Sequence, residues 1–316
     1  LLITLPALFA LALGFTLPAA LLALATAAGI SLAGFLSRRS ASGRVFRKQS
    51  AQASNVSHSP SLIPAFWGCV LPLLLFSIWL LHTHTLYYKE GAYWCGQSTY
   101  GDLPMHLSFI KSIAEQGLFP PEFPMLAGQT LYGYPFLCES VSSVFLLLGA
   151  PLKFACILPQ VVALAAVFGG GWLLARHLLH SNTKASLAFV LFFLGSGFGF
   201  AYFLEGGFEN FTRIFTAYYE TPTNYVEENI RWVNPIADLL IPQRATLFGW
   251  ALLFPCLALL VRFALEEEYR LWPALVLLAA SLPLVQTHSA LALVLICGVL
   301  FTRSLVMYRT NWKALR

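Results

Sequence analysis

Phe136-Leu137-Cys138-Glu139-Ser140-Val141-Ser142-Ser143-Val144-Phe145-Leu146-Leu147-Leu148 is the stretch on which the topology turns. It is mostly apolar, but its thirteen residues fall short of the roughly 20 that a bilayer crossing needs. It also carries a carboxylate, Glu139. Read as a span, it would invert the orientation of everything after it. Read as a helix lying in the membrane face or dipping partway, it leaves that orientation alone.

The charges decide between these readings. Of the 316 residues, 58% are hydrophobic and 10% charged, against about 25% charged in an ordinary soluble domain. Such a chain reads as an all-α, polytopic transmembrane bundle. Seven apolar runs approach span length: 1–36, 62–86, 154–178, 185–204, 244–264, 272–285 and 290–307. With 136–148 left uncrossed, thirteen of the nineteen Lys and Arg fall on one side with only three acids. Eleven of the fourteen acids fall on the other side. That is the positive-inside pattern, and it largely disappears if 136–148 crosses.

The organisation follows. Residues 1–61 form a leading apolar segment, kinked at Pro6 and Pro18, and a basic loop with Arg38, Arg39, Arg44, Arg47 and Lys48. The loop reads as flexible and cytoplasmic rather than as a nucleic-acid patch, and no nucleic-acid partner is expected. Residues 62–316 form the core, with two large outer loops at 87–153 and 205–243 that contain short surface helices. The opening residues lack an initiator Met, so a portion of a longer chain is expected. The first 36 residues are too long, and too poor in basic residues at their start, for a simple signal peptide. Six dispersed cysteines form no C-x-x-C pair. Cys95 and Cys138 fall in the same outer segment and could pair if that side is oxidising.

The polar residues that carry chemistry lie in or beside the outer segments. In Tyr100-Gly101-Asp102-Leu103-Pro104-Met105-His106 the pattern predicts a helix with Asp102 at its N-cap, closing at Gly117. His106 follows four residues on, one turn away on the same face. An acid and an imidazole so placed can do proton chemistry or hold a metal; equally, Asp102 can cap while His106 packs. Arg244 opens a span, where a cation opposes the helix dipole and calls for an anionic partner. A phosphate, gripped with help from Gln243, is one such partner; snorkelling toward lipid headgroups is the other reading. His288, in the turn Gln286-Thr287-His288-Ser289, could add a donor or ligand, or serve as an interfacial turn residue. Glu139 is the loop acid hardest to dismiss as merely solvated.

In its order of elements the chain resembles the GT-C class of membrane glycosyltransferases, which includes protein O-mannosyltransferases and oligosaccharyltransferase catalytic subunits. The resemblance rests on a span, an outer loop with an early acid at Asp102, a surface helix from Tyr134-Pro135-Phe136-Leu137 onward, and a returning span. It covers roughly 62–316. It implies an integral protein of the bacterial plasma membrane, active on the face away from the cytoplasm. The enzyme would move a sugar from a polyprenyl-phosphate donor to an acceptor whose identity is open, among membrane lipids. Asp102 would act as base on the acceptor, with His106 orienting it. No organic cofactor is implied, and a divalent metal stays open. Many members place a second acid beside the first, whereas here Leu103 and Pro104 follow Asp102. Glu205 and Glu209 are the stand-ins for a later family acid. A transporter or flippase, and a non-catalytic subunit of the same shape, are the competing readings.

Overall fold

The computed structural model describes residues 1, 3–49, 62–96, 99, 101–195, 209, 224–225, 230–231 and 234–308. It is mostly helical, with five helices long and apolar enough to cross a membrane: Leu17–Leu36, Pro64–Thr85, Leu152–Leu179, Arg244–Leu265 and Thr287–Met307. This is the make-up of an integral membrane protein. The other two expected spans are shorter in the structure. Helix α7 (Asn182–Leu194) accounts for the first part of 185–204, and 196–204 lies outside the described residues. The run 272–285 breaks at Ser281 into α9 (Trp272–Ala280) and α10 (Leu282–Val285).

The leading run is not one kinked helix. It folds into a hairpin of α1 (Thr4–Leu13) and α2 (Leu17–Gln49). Leu5 packs on Ala23 and Ala27, so the two helices run antiparallel. The ten residues of α1 rise only about 15 Å, half the hydrocarbon thickness. Hydropathy hides the reversal because the residues around it, Thr16 apart, are apolar. Its backbone chemistry does not: Gly14 takes φ +66°, and Pro18, expected as a kink, sits in the first turn of α2, where its missing N–H costs nothing. Gly14 is also needed for space, since a Cβ there would lie 1.9 Å from the Gly117 carbonyl oxygen. Beyond the turn, Phe15 is buried and stacks near Phe119 (5.4 Å) and Phe136 (6.3 Å). The helix α2 continues through Gln49, so the start of the stretch expected as a loop is helical.

After α3 (Leu62–Leu80) and a π turn (Leu81–Thr85), the chain makes a β-hairpin, β1 (Tyr87–Lys89) and β2 (Ala92–Trp94). Helices α4 (Leu103–Gln116) and α5 (Leu137–Leu147) follow. The long α6 (Leu152–Leu179) and α8 (Arg244–Leu265) come next, with α7 between them in sequence, and α11 (Thr287–Tyr308) closes the described chain. Between α7 and α8 a second small ladder pairs β3 (Asn224–Tyr225) with β4 (Ile230–Arg231). A π turn, Pro235–Leu240, then leads into α8, with the Asn234 side chain capping it through the Ile236 and Ala237 N–H groups.

Helices α6 and α8 form the central pair and run parallel. Arg244 meets Cys156 near their starts, and Gly170 meets Pro255 farther along both. Helix α3 is antiparallel to α6, since Phe66 near its start stacks on Trp172 near the end of α6 (5.3 Å). Both α6 and α8 are long and apolar enough to cross a membrane, and they point the same way.

The expected surface helix is a core helix. Every residue of α5 from Leu137 to Val144 is buried, including Glu139, Ser140, Ser142 and Ser143, each at 0% exposure. It fills the end of the bundle between α4, α6 and the α1–α2 hairpin.

Close packing of the central pair depends on Gly170, because a Cβ there would lie 2.6 Å from Pro255 Cδ. Overpacking of this kind costs about 1–3 kcal/mol. Gly170→Leu should therefore lower the thermal midpoint of the detergent-solubilised protein, whereas Gly68→Leu, with nothing within 4 Å of its Cβ position, should leave it in place.

Candidate functional site

Glu139 stands in the first turn of α5, where the helix N-terminus favours negative charge. Its Oε2 lies 2.7 Å from Nε of Arg244. Its Oε1 lies 2.7 Å from Nδ1 of His106 and accepts from the Cys138 thiol at 3.2 Å. An ionised carboxylate has no proton to give, so Nδ1 of His106 carries the hydrogen of that bond. Three helices, α4, α5 and α8, are thus joined through one side chain. A further bond, from Ser143 Oγ to the Ile110 carbonyl at 2.8 Å, ties α5 to α4.

Arg244 is 2% exposed, with Nε ion-paired to Glu139 and both Nη atoms hydrogen-bonded inside the protein. Nη1 donates to the Cys156 carbonyl at 3.1 Å, and Nη2 to the Cys138 carbonyl at 3.1 Å and to Ser142 Oγ. The Phe248 ring, one turn on, covers the guanidinium at 4.8 Å. The cation that opposes the α8 dipole does have an anionic partner, and that partner is Glu139 of the same chain.

Burial alone would raise the Glu139 carboxyl. The Arg244 charge and the His106 bond outweigh it and hold the group below the usual carboxylate range. Burial, then the Glu139 charge beside it, pushes the Cys138 thiol well up, so it remains a thiol and a donor. The half-buried Tyr134 phenol is pushed up by burial and by the neighbouring Cys138, Glu139 and Asp102. It stays protonated.

Asp102 occupies the N-cap position of α4, as the sequence pattern predicts, yet its side chain makes no capping bond and is exposed. His106 therefore turns to Glu139 rather than to Asp102. Gln243, the N-cap residue of α8, is exposed and heads a chain of side-chain bonds. Thr246 Oγ1 donates to Gln243 Oε1 at 3.0 Å, Gln286 Nε2 donates to Thr246 at 2.9 Å, and Ser289 donates to Gln286. His288 is exposed in the first turn of α11. Of the six residues singled out from sequence, His106, Glu139 and Arg244 thus meet in the interior. Asp102, Gln243 and His288 lie at the surface.

Sequence reasoning did not single out Ser142, marked Tyr134 only as the start of a surface helix, and weighed Cys138 only as a disulfide partner for Cys95. The signal for Ser142 and Cys138 was their place in 136–148 beside a carboxylate, a stretch too polar for a lipid-facing helix. All six cysteines are free. Cys138 is taken up by Glu139 and the Pro135 carbonyl, so the Cys95–Cys138 pair does not form. Among the described residues no group of three His, Cys, Asp or Glu is arranged to hold a metal ion. Glu205, one of the stand-ins for a later family acid, lies outside the described residues. Compared with family models, curated proteins and solved structures, the chain matches none.

Removing one partner of a buried ion pair costs about 3–5 kcal/mol, because the other charge is left uncompensated. Glu139→Gln should therefore destabilise strongly, and the double variant Glu139→Gln/Arg244→Met should regain much of the loss in thermal melts. An unfolded Glu titrates near about 4.3, and the folded group lies lower. Its contribution is fully present above the unfolded value and is lost as pH falls through the folded one. Wild-type stability relative to the double variant should stay flat from neutral pH to about pH 5 and shrink only in stronger acid.

Proposed function

We propose that the chain is a membrane transferase that moves a sugar from a polyprenyl-phosphate donor to an acceptor hydroxyl, at the end of the bundle formed by α4 and α5. The observation that carries this reading is the mounting of Asp102. Its carboxylate is exposed and makes no capping bond, and it opens a helix bolted to α5 and α8 through His106, Glu139 and Arg244. A general base needs both properties, a free carboxylate and a fixed position.

In the proposed step Asp102 takes the proton of the acceptor hydroxyl as its oxygen attacks the anomeric carbon. The bond from that carbon to the phosphate oxygen breaks, and polyprenyl phosphate leaves with the electron pair. Tyr134, half-buried and protonated, is suited to donate a hydrogen bond near this end of the bundle. Arg244 enters as a brace rather than a phosphate clamp, since its nitrogens are spent within the protein. The charge asymmetry of the sequence supports placing this end on the non-cytoplasmic face of a bacterial plasma membrane.

A non-catalytic subunit of the same shape is the second reading, favoured by Leu103 and Pro104 standing where many transferases carry another acid.

The full chain reconstituted in liposomes with radiolabelled polyprenyl-phosphate sugars separates the two, because only the enzyme turns over its donor. A positioned base contributes about 10²–10⁴-fold, so Asp102→Asn should lower transfer by that order while the thermal midpoint stays unchanged. Undiminished transfer by the variant removes Asp102 from the role, and no turnover with any donor tested favours the subunit.

A further inference from the structure

We propose that the β1–β2 hairpin is an anchor that lies in the lipid headgroup layer beside the end of α3. It begins at Tyr87, two residues past Thr85, the last residue of the candidate span Pro64–Thr85. At about 3.3 Å per strand residue, the ribbon starts within a few ångströms of the hydrocarbon edge. Glu90 (φ 53°) and Gly91 (φ 80°) form its two-residue turn, with both φ positive as a tight hairpin requires. The register pairs Tyr87 with Trp94 and Tyr88 with Tyr93, so aromatics stand on both faces.

These rings are uncovered by protein. Tyr88 is 63% exposed, Tyr93 46% and Trp94 48%. The first two meet edge to face at 5.3 Å. Trp94 Nε1 donates to the Lys89 carbonyl at 3.0 Å, which satisfies the polar edge of the indole and leaves its apolar face outward. A two-stranded ribbon is marginal by itself in water. Amphipathic rings with charged residues at the turn, here Lys89 and Glu90, fit the membrane–water boundary, where Trp and Tyr concentrate. Leu75 and Phe76, toward the same end of α3, are exposed as well.

The anchor is coupled to the candidate site. Gly96 N–H (2.6 Å) and Thr99 Oγ1 (3.0 Å) both donate to the His84 carbonyl in the π turn. The Leu103 N–H then donates to the Thr99 carbonyl at 3.1 Å. A Cβ on Gly96 would lie 2.5 Å from the His84 oxygen, so glycine is what allows this approach. The strand is thereby tacked to the end of the span, and the Thr99–Leu103 bond ties that point to the N-terminus of α4, setting Asp102 at the height of the headgroups. A catalytic chain and an inactive subunit would carry the same anchor, so the inference does not lean on the transferase reading.

The test uses the full chain in phosphatidylcholine vesicles with bromines placed either near the headgroup or near the chain end. The emission of Trp94 is taken as the difference between wild type and Trp94→Phe. The expected result is a larger intensity loss with shallow bromines than with deep ones, and little loss to aqueous acrylamide. A Trp94 component that acrylamide quenches freely and bromines leave untouched would overturn the proposal in favour of a water-facing aromatic platform, such as one for a sugar. Stronger quenching by deep bromines would overturn it in favour of burial in the hydrocarbon. Tyr88→Trp in the Trp94→Phe background repeats the measurement from the other face of the ribbon.

Discussion

The contact on which the rest depends is the 2.7 Å ion pair between Glu139 and Arg244. Neither charge could stay in this interior alone, because desolvating a single ion costs several kcal/mol. Together they bring the first turn of α5 against the first turn of α8. Those two carbonyls of Cys138 and Cys156, the Ser142 hydroxyl and His106 complete the coordination of both ions. Each helix start contributes groups that would otherwise be left unsatisfied in an apolar setting.

This explains why a stretch as short as 137–147 is helical and buried. Its serines face protein rather than lipid and find backbone partners: Ser140 with Leu137, and Ser143 with Ile110 and Glu139. Its carboxylate is neutralised by a cation that arrives 105 residues later in the sequence. The same lock fixes α4, whose buried face of Phe109, Ile110 and Ile113 sits against α5 and its neighbours. The exposed end of α4 carries Asp102, so a charge network with no outlet of its own governs where a surface carboxylate stands. Rigidity below and exposure above are what a positioned polar group at a membrane mouth requires.

Two glycines set how closely the framework can close around that lock. Gly170 admits Pro255 between the parallel α6 and α8, and Gly14 lets the tip of the leading hairpin touch the end of α4. Helix association in a membrane gains little from hydrophobicity, since lipid is as apolar as the side chains, so close backbone approach matters more. The proline and glycine content of the sequence thus reports contact points as much as breaks.

The sequence by itself determined the solvent of this protein and its helical class; of the seven expected spans, the described residues hold five helices long and apolar enough to cross. Those features depend on composition and run length, both of which are local or additive. It also picked out Asp102 as an N-cap position and Arg244 as a cation in need of an anion. It could not show that α1 turns back at Gly14, because hydropathy is blind to a reversal made, Thr16 apart, of apolar residues. Nor could it pair His106 and Arg244 with Glu139, 33 and 105 positions away, in preference to the neighbouring Asp102 or an external phosphate. Spacing along one helix shows which residues share a face; which residue of another helix meets that face is decided only when the helices pack.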